Sequence, residues 1–160
     1  MPRVRIFLAL SGLMAGWNPC EVGAQSSSDS ASVTAFYGRW FGSATGGMAR
    51  YASFYAGDGS IFPPNSPPVK GREAIAAWLE QARAASPYST QPQGITVDEL
   101  RFLSPDWVVY RSTLRGQRIP KAGGPAAAPI RFETKYGDLL HRTTSGDWEV
   151  IFRMWSDNTP

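Results

Sequence analysis

Apolar residues recur at helical spacing in three stretches of the first half of the chain. Positions i, i+3, i+4 and i+7 are apolar from Val33 to Trp40, from Met48 to Tyr55 and from Ile75 to Ala82. This spacing places the four apolar residues of each stretch on one face of a helix. The pattern therefore predicts three helices, each of which buries an apolar stripe.

The pattern changes after Pro87 to alternation of apolar and polar residues, with many β-branched and aromatic side chains. Alternation with period two is typical of strands that have one buried face. It predicts a meander of four strands, at Ile95–Phe102, Trp107–Leu114, Ile130–Arg142 and Trp148–Trp155. Helices followed by antiparallel strands predict an α+β domain with the helices on one face of the sheet. A shorter strand is predicted at Ser60–Phe62, and a Gly/Pro/Ala-rich loop at Lys121–Pro129.

The first 24 residues have the order of a secretory signal. Arg3 and Arg5 precede an apolar stretch at Ile6–Trp17, and a small residue, Ala24, follows at the expected cleavage position. The apolar stretch is shorter than the ~20 residues that span a bilayer. We expect cleavage after Ala24 and export to the periplasm or the medium, with no membrane attachment afterwards; an uncleaved anchor is the alternative. Residues 25–30 are then a flexible lead-in to a domain at 31–158.

Composition and charge narrow the class of protein. The chain has 160 residues, of which 42% are hydrophobic and 18% charged, and this balance excludes a disordered chain and a coiled coil. The net charge is +3 and the basic residues are scattered, which argues against a nucleic-acid partner. Cys20 is the single cysteine and His141 the single histidine, so the sequence offers no disulfide and no metal-ligand cluster. We expect no metal ion and no cofactor.

Three segments resemble the SnoaL-like and ketosteroid-isomerase-like domains of the nuclear-transport-factor-2-like superfamily. They are Tyr55–Pro64, Val69–Ile75 and the C-terminal Gly146–Asn158. The resemblance covers roughly residues 31–158. It implies a cone in which a strongly curved, mainly antiparallel sheet wraps around three N-terminal helices, with a pocket at the open end. Members of the family are commonly dimers, and a homodimer is expected here.

The catalytic residues of the ketosteroid isomerases carry over only in part. The position of the catalytic base holds Pro63, which has no proton to exchange, so the isomerase base is absent. The position of the oxyanion-hole aspartate falls on Asp138. The oxyanion-hole tyrosine falls near Arg39 without a clean match, which leaves the neighbouring Tyr37 and Trp40 as candidates for either the pocket or plain core.

Strand alternation singles out Asp138 independently of the resemblance. It follows Phe132, Thr134 and Tyr136 on one face of the predicted strand, and an acid on a largely buried face needs a partner. Asp138 is therefore either a pocket acid/base or a structural acid at the sheet rim. The resemblance implies that Arg153 faces the same pocket, where pairing would keep Asp138 ionised and exclude a neutral oxyanion-hole acid.

These observations predict an exported protein that binds a small apolar or aromatic molecule. Its aromatic-lined pocket is predicted from seven residues: Tyr37, Trp40, Trp78, Tyr136, Ile151, Arg153 and Trp155. One alternative is an enzyme of the SnoaL or ketosteroid-isomerase type, with Asp138 as acid/base on a carbonyl compound and no metal. Another is a structural association module whose pocket is filled by its own side chains.

Overall fold

Three helices cover a six-stranded sheet in the computed structural model, which describes residues 27–122 and 128–157; two of them precede the first strand and the third lies between the second and third strands. The predicted signal and the centre of the Lys121–Pro129 loop lie outside the described residues. The helices are α1 (Ser27–Ser43), α2 (Met48–Ala52) and α3 (Arg72–Ala85), with a 3-10 turn at Ala44–Gly46. The strands are β1 (Tyr55–Phe62), β2 (Val69–Lys70), β3 (Tyr88–Ser104), β4 (Trp107–Pro120), β5 (Ile130–Arg142) and β6 (Trp148–Asp157).

The strands form one curved sheet in the order β2-β1-β6-β5-β4-β3. All neighbouring pairs are antiparallel except β1 and β6, which are parallel. The helices lie on the concave face, and the core between the two layers holds fully buried residues from both, among them Val33, Trp40, Ile75, Val108 and Val150. The predicted α+β class is confirmed. None of the helices in the described ranges is long and apolar enough to cross a membrane.

Two boundaries near the N-terminus differ from the predicted ones. Helix α2 ends at Ala52, and Tyr55, which was predicted to be helical, begins β1 by pairing with Val150 of β6. Its side chain is fully buried in the strand. An apolar residue on the buried face of a helix gives the same sequence pattern, so the apolar spacing did not distinguish the two conformations. Helix α1 already begins at Ser27, inside the lead-in predicted to be flexible. Arg142 donates to Asp29 at 2.6 Å, which holds this first turn against β5.

The β3–β4 hairpin is longer than predicted. Strand β3 begins at Tyr88 and β4 runs to Pro120, beyond the expected limits at Ile95 and Leu114. Pro92 lies within β3 at an irregularity of the pairing, and proline is tolerated there because β3 is an edge strand. Three residues of this extra length, Pro92, Gln93 and Gly94, belong to the wall of the cavity described below.

A β-bulge in β6 decides which residues of this strand face the helices. Leu139 pairs with Phe152 and Leu140 with Val150, so Ile151 is an extra residue. The bulge turns both Val150 and Arg153 to the concave face, although they are three residues apart. Ile151, which the family resemblance placed on the pocket face together with Arg153 and Trp155, is the extra residue of this bulge.

Candidate functional site

A buried ion pair occupies the centre of the concave face. Asp138 of β5 lies directly opposite Arg153 of β6. Arg153 donates from Nε to Oδ1 at 2.7 Å and from Nη2 to Oδ2 at 2.8 Å, which makes the pair bidentate. The residues are 2% and 4% exposed, so solvent screens the interaction very little. The sequence left this pairing as one possibility for Arg153, and the structure contains it.

Two tyrosines from the helices complete the hydrogen bonds of this pair. Tyr37 of α1 donates its hydroxyl to Asp138 Oδ2 at 2.9 Å. Arg153 Nη1 donates to the Tyr51 hydroxyl of α2. Asp138 thus accepts three hydrogen bonds, two of them from a guanidinium that is always charged. This geometry suits a carboxylate and not the neutral acid of an oxyanion hole.

Aromatic rings enclose the guanidinium group. The Arg153 Cζ atom lies 4.1 Å from the ring centroid of Trp40 and 4.4 Å from that of Tyr136. Cation–π contacts of a desolvated cation contribute about 2 kcal/mol or more. The ring centroid of Trp155 lies 6.5 Å from that of Tyr136 and 5.9 Å from that of Trp78 of α3, so these two tryptophans extend the cluster outwards.

Six of the seven residues predicted to line a pocket therefore form one cluster. Tyr37, Trp40, Tyr136 and Arg153 contact the ion pair or belong to it, and Trp78 and Trp155 form an outer layer. The seventh residue, Ile151, lies in the bulge and is not part of this cluster. The centre of the cluster is filled by its own side chains, since Trp40 is fully buried. Whether these residues bind a ligand stays a prediction.

The electrostatics of the cluster follow from its burial. Burial alone would lower the pKa of Arg153, but the adjacent Asp138 carboxylate raises it well above its ordinary value. Burial raises the pKa of Tyr37 well above its usual range, and the negative charge of Asp138 raises it further. Burial likewise raises the pKa of Tyr51 to about 12. The three tyrosines at or near the pair, with Tyr55 the third, are therefore neutral phenols at physiological pH.

An open cavity of about 640 Å³ lies beside this cluster, between α1 and the β3–β4 hairpin. Its wall contains no charged side chain and is mostly apolar; it comprises Thr34, Tyr37, Gly38, Phe41, Ala44, Pro92, Gln93, Gly94, Ile95, Val97, Tyr110 and Leu114. Tyr37 belongs both to this wall and to the ion-pair cluster. Ile95 and Val97 are 44% and 49% exposed, and they mark the open side of the cavity.

Tyr37 is the one wall residue that was predicted from the sequence. A signal for the others exists on α1, where Thr34, Tyr37, Gly38 and Phe41 follow helical spacing beside the core stripe. The wall residues of β3 and β4 carry no comparable signal, because the hairpin reaches α1 only through the tertiary fold.

Two further residues named in the sequence analysis, His141 and Pro63, lie outside the wall of the cavity. His141 points to the outer face of the sheet, where it bonds Glu149 at 3.1 Å and packs on Trp107. Pro63, at the position of the isomerase base, is buried just after β1. Within residues 27–122 and 128–157, no group of three or more His, Cys, Asp or Glu side chains is arranged to hold a metal ion.

The fold is that of ketosteroid-isomerase-like and nuclear-transport-factor-2-like proteins. A ketosteroid isomerase-like protein from Erwinia carotovora atroseptica aligns with a TM-score of 0.73 and 18% identity, over 84% of this chain and 100% of its own. The hexachlorocyclohexane dehydrochlorinase LinA-type3 from Novosphingobium barchaimii aligns with a TM-score of 0.64 and 16% identity, over 82% and 87%.

A nuclear-transport-factor-2-like protein with a cystatin-like fold from Novosphingobium aromaticivorans aligns with a TM-score of 0.59 and 18% identity, over 80% of each chain. A scan against protein-family models and a search of curated proteins both find no match. At these identities the similarity establishes the architecture and leaves the activity to be argued from the site.

The buried ion pair generates a stability prediction. Asp138→Leu or Arg153→Met alone leaves one uncompensated buried charge, and each is expected to lower the free energy of unfolding by about 3–5 kcal/mol. The double variant buries no charge. Its loss in the free energy of unfolding is therefore expected to be about 3 kcal/mol smaller than the sum of the losses of the two single variants. Urea unfolding of all four proteins measures this coupling.

The control is the exposed pair Arg111–Glu99, whose side chains are 63% and 34% exposed. Arg111→Met is expected to change the free energy of unfolding by at most about 1 kcal/mol. Additive losses in the Asp138/Arg153 cycle would show that the pair does not act as a unit.

The buried phenols predict alkaline instability. Tyr51 has a folded pKa of about 12 against an ordinary value of 10.0. A raised folded pKa gives stability that is complete below the unfolded pKa, and it is lost as the pH rises from 10 to 12. Tyr51 alone lowers the free energy of unfolding by up to about 1.4 kcal/mol per pH unit in that window. Tyr37 and Tyr55 add to the slope because their pKa values are also raised.

Urea unfolding between pH 8 and pH 11 tests this expectation. The free energy of unfolding should stay level to about pH 9.5 and then fall, with a shallower fall in Tyr51→Phe because one phenol is removed. A curve that stays level to pH 11 would contradict the burial of these hydroxyls.

Proposed function

We propose that the protein binds a small, uncharged, apolar molecule in the cavity between α1 and the β3–β4 hairpin. The observation that carries this proposal is the cavity itself, whose volume of about 640 Å³ is within the range of small-molecule sites. Its described wall is free of charged side chains, so an ionised ligand would lose its hydration without compensation. Asp138, which accepts a hydrogen bond from the wall residue Tyr37, is already paired with Arg153.

Two glycines of α1 provide a matched test of the site. A Cβ atom added at Gly38 or at Gly42 would meet no other atom within 4 Å, so both accept a side chain. Gly38 lines the cavity and Gly42 does not. We expect Gly38→Phe to fill the cavity and to weaken binding of the neutral fluorescent probe N-phenyl-1-naphthylamine at least tenfold, while Gly42→Phe binds it like the wild type.

Fluorescence titration of residues 25–160, the chain without the predicted signal, measures the dissociation constants. The anionic probe 1-anilinonaphthalene-8-sulfonate is the chemical control, because its sulfonate has no described partner in the cavity wall and should weaken its binding. Equal affinity of the wild type and Gly38→Phe for the neutral probe would place binding elsewhere, and no binding by the wild type would reject the proposal.

An acid/base enzyme that uses Asp138 is the second candidate. Its support is the Tyr37–Asp138 hydrogen bond, which connects the cavity wall to a carboxylate at 2.9 Å. The similar structures also include a protein named as a dehydrochlorinase and one named as ketosteroid isomerase-like. Catalysed proton exchange on a bound ketone that disappears in Asp138→Asn, with N-phenyl-1-naphthylamine binding retained, would favour this reading over plain binding.

Export and homodimerisation stay predictions. The export signal lies in residues 1–24, and N-terminal sequencing of the exported chain would test cleavage after Ala24. For the homodimer, the outer face of the sheet provides support, since Val109, Phe152 and Met154 line a groove of about 460 Å³ there. Arg111, paired with Glu99, gives this face charges of both signs for a second copy. Sedimentation equilibrium of the mature chain would measure its oligomeric state.

A further inference from the structure

Tyr110 is a wall residue of the cavity whose ring is held in one orientation. It lies on β4, opposite Asp138 of β5. Its ring stacks on that of Tyr37 with a centroid distance of 3.6 Å and an interplanar angle of 17°. Tyr37 in turn is held by its hydrogen bond to Asp138. The position of the Tyr110 ring is therefore set by the buried ion pair, through one intervening ring.

The Tyr110 hydroxyl differs from the other hydroxyls of the cavity wall. Tyr37 donates its proton to Asp138, and Thr34 donates its own to the carbonyl oxygen of Ser30. Tyr110 makes no hydrogen bond to any residue of the described ranges, and its oxygen is not among their fully buried, unpartnered atoms. Since Tyr110 lines the cavity, its hydroxyl is open to whatever the cavity holds.

This hydroxyl remains a donor under physiological conditions. Burial raises the pKa of Tyr110, and the negative charge of Asp138 raises it further. The phenol therefore keeps its proton at neutral pH. Gln93 is the other polar side chain of the described wall without a hydrogen bond to the described residues. It is exposed on the edge strand β3.

We propose that Tyr110 determines the specificity of the cavity, by donating a hydrogen bond to one acceptor oxygen of an otherwise apolar ring molecule. This inference rests on the proposed binding function and deepens it. A ligand with a carbonyl oxygen satisfies the hydroxyl, whereas a hydrocarbon of the same shape buries it without a partner. A binding site discriminates most strongly against analogues that leave its own polar groups unpaired.

A pair of small ring compounds tests the inference. 2-Tetralone and tetralin share one fused ring system and differ in a carbonyl oxygen. Competition against N-phenyl-1-naphthylamine gives the dissociation constant of each. We expect the wild type to prefer 2-tetralone by at least tenfold. Tyr110→Phe removes only the hydroxyl, and it should abolish this preference while tetralin binds at least as tightly as before.

The fold of the variant and the location of the effect have separate controls. Tyr110→Phe keeps the stacked ring, and its far-ultraviolet circular dichroism, which reports the backbone, should match that of the wild type. Tyr88→Phe, a hydroxyl deletion at the start of β3 and outside the described cavity wall, should leave the preference intact. A second measurement needs no variant of the binding site. In NMR spectra of the wild type labelled with ¹³Cζ-tyrosine, the chemical shift of Tyr110 should change much more with 2-tetralone than with tetralin.

The outcomes separate this inference from the proposed function. If both compounds displace the probe equally from the wild type, or if Tyr110→Phe retains the preference, the role of Tyr110 is overturned and the binding site stands. Probe binding that neither compound displaces also overturns it. If the probe itself does not bind, the proposed function fails and the inference fails with it.

Discussion

The arrangement of helices on the sheet depends on the ion pair between Asp138 and Arg153. Desolvation of two charges costs several kcal/mol for each ion, so a pair this deeply buried persists only where its remaining hydrogen bonds are made. Tyr37 and Tyr51 make them, and these residues come from α1 and α2. The ring of Trp40 covers the guanidinium. One electrostatic requirement thus joins two helices to two strands and fixes the position of α1 on the concave face.

The same requirement divides the concave face into two parts. On one side of Tyr37 the charges are satisfied and sealed, and on the other side the Tyr37–Tyr110 stack borders an open apolar cavity. The cavity lies where the β3–β4 hairpin faces α1, and side chains of both elements form its wall. The uncharged wall of the cavity and the burial of the two charges therefore have one cause. Asp138 and Arg153, which would otherwise make the concave face polar, neutralise each other.

Part of this arrangement was predictable from residue alternation together with the family resemblance. It placed Asp138 on the buried face, and with the family resemblance it led to the pairing with Arg153. The bulge at Ile151 was not predictable, because it depends on how β6 fits between β1 and β5 and not on the residue itself. Tyr55 has the same apolar spacing whether it ends a helix or begins a strand, so the local pattern did not decide. The cavity joins α1 to a hairpin some 60 residues later, and no local pattern records that contact.

The state of Asp138 also bears on the choice between binding and catalysis. A substrate that reaches this carboxylate has to displace Tyr37, which breaks a hydrogen bond to a charged group, worth about 1.5–3 kcal/mol. It also breaks an aromatic stack worth about 1 kcal/mol. At about 1.4 kcal/mol for each factor of ten, the open form is populated in between roughly one molecule in a hundred and one in a thousand. A ligand that needs this form binds about a hundredfold to a thousandfold more weakly than its contacts alone would allow. The cavity beside Tyr110 is open without that cost, and by the family resemblance Pro63 stands in the place of the isomerase base. Both observations support the proposed binding beside the stack over the proposed acid/base catalysis.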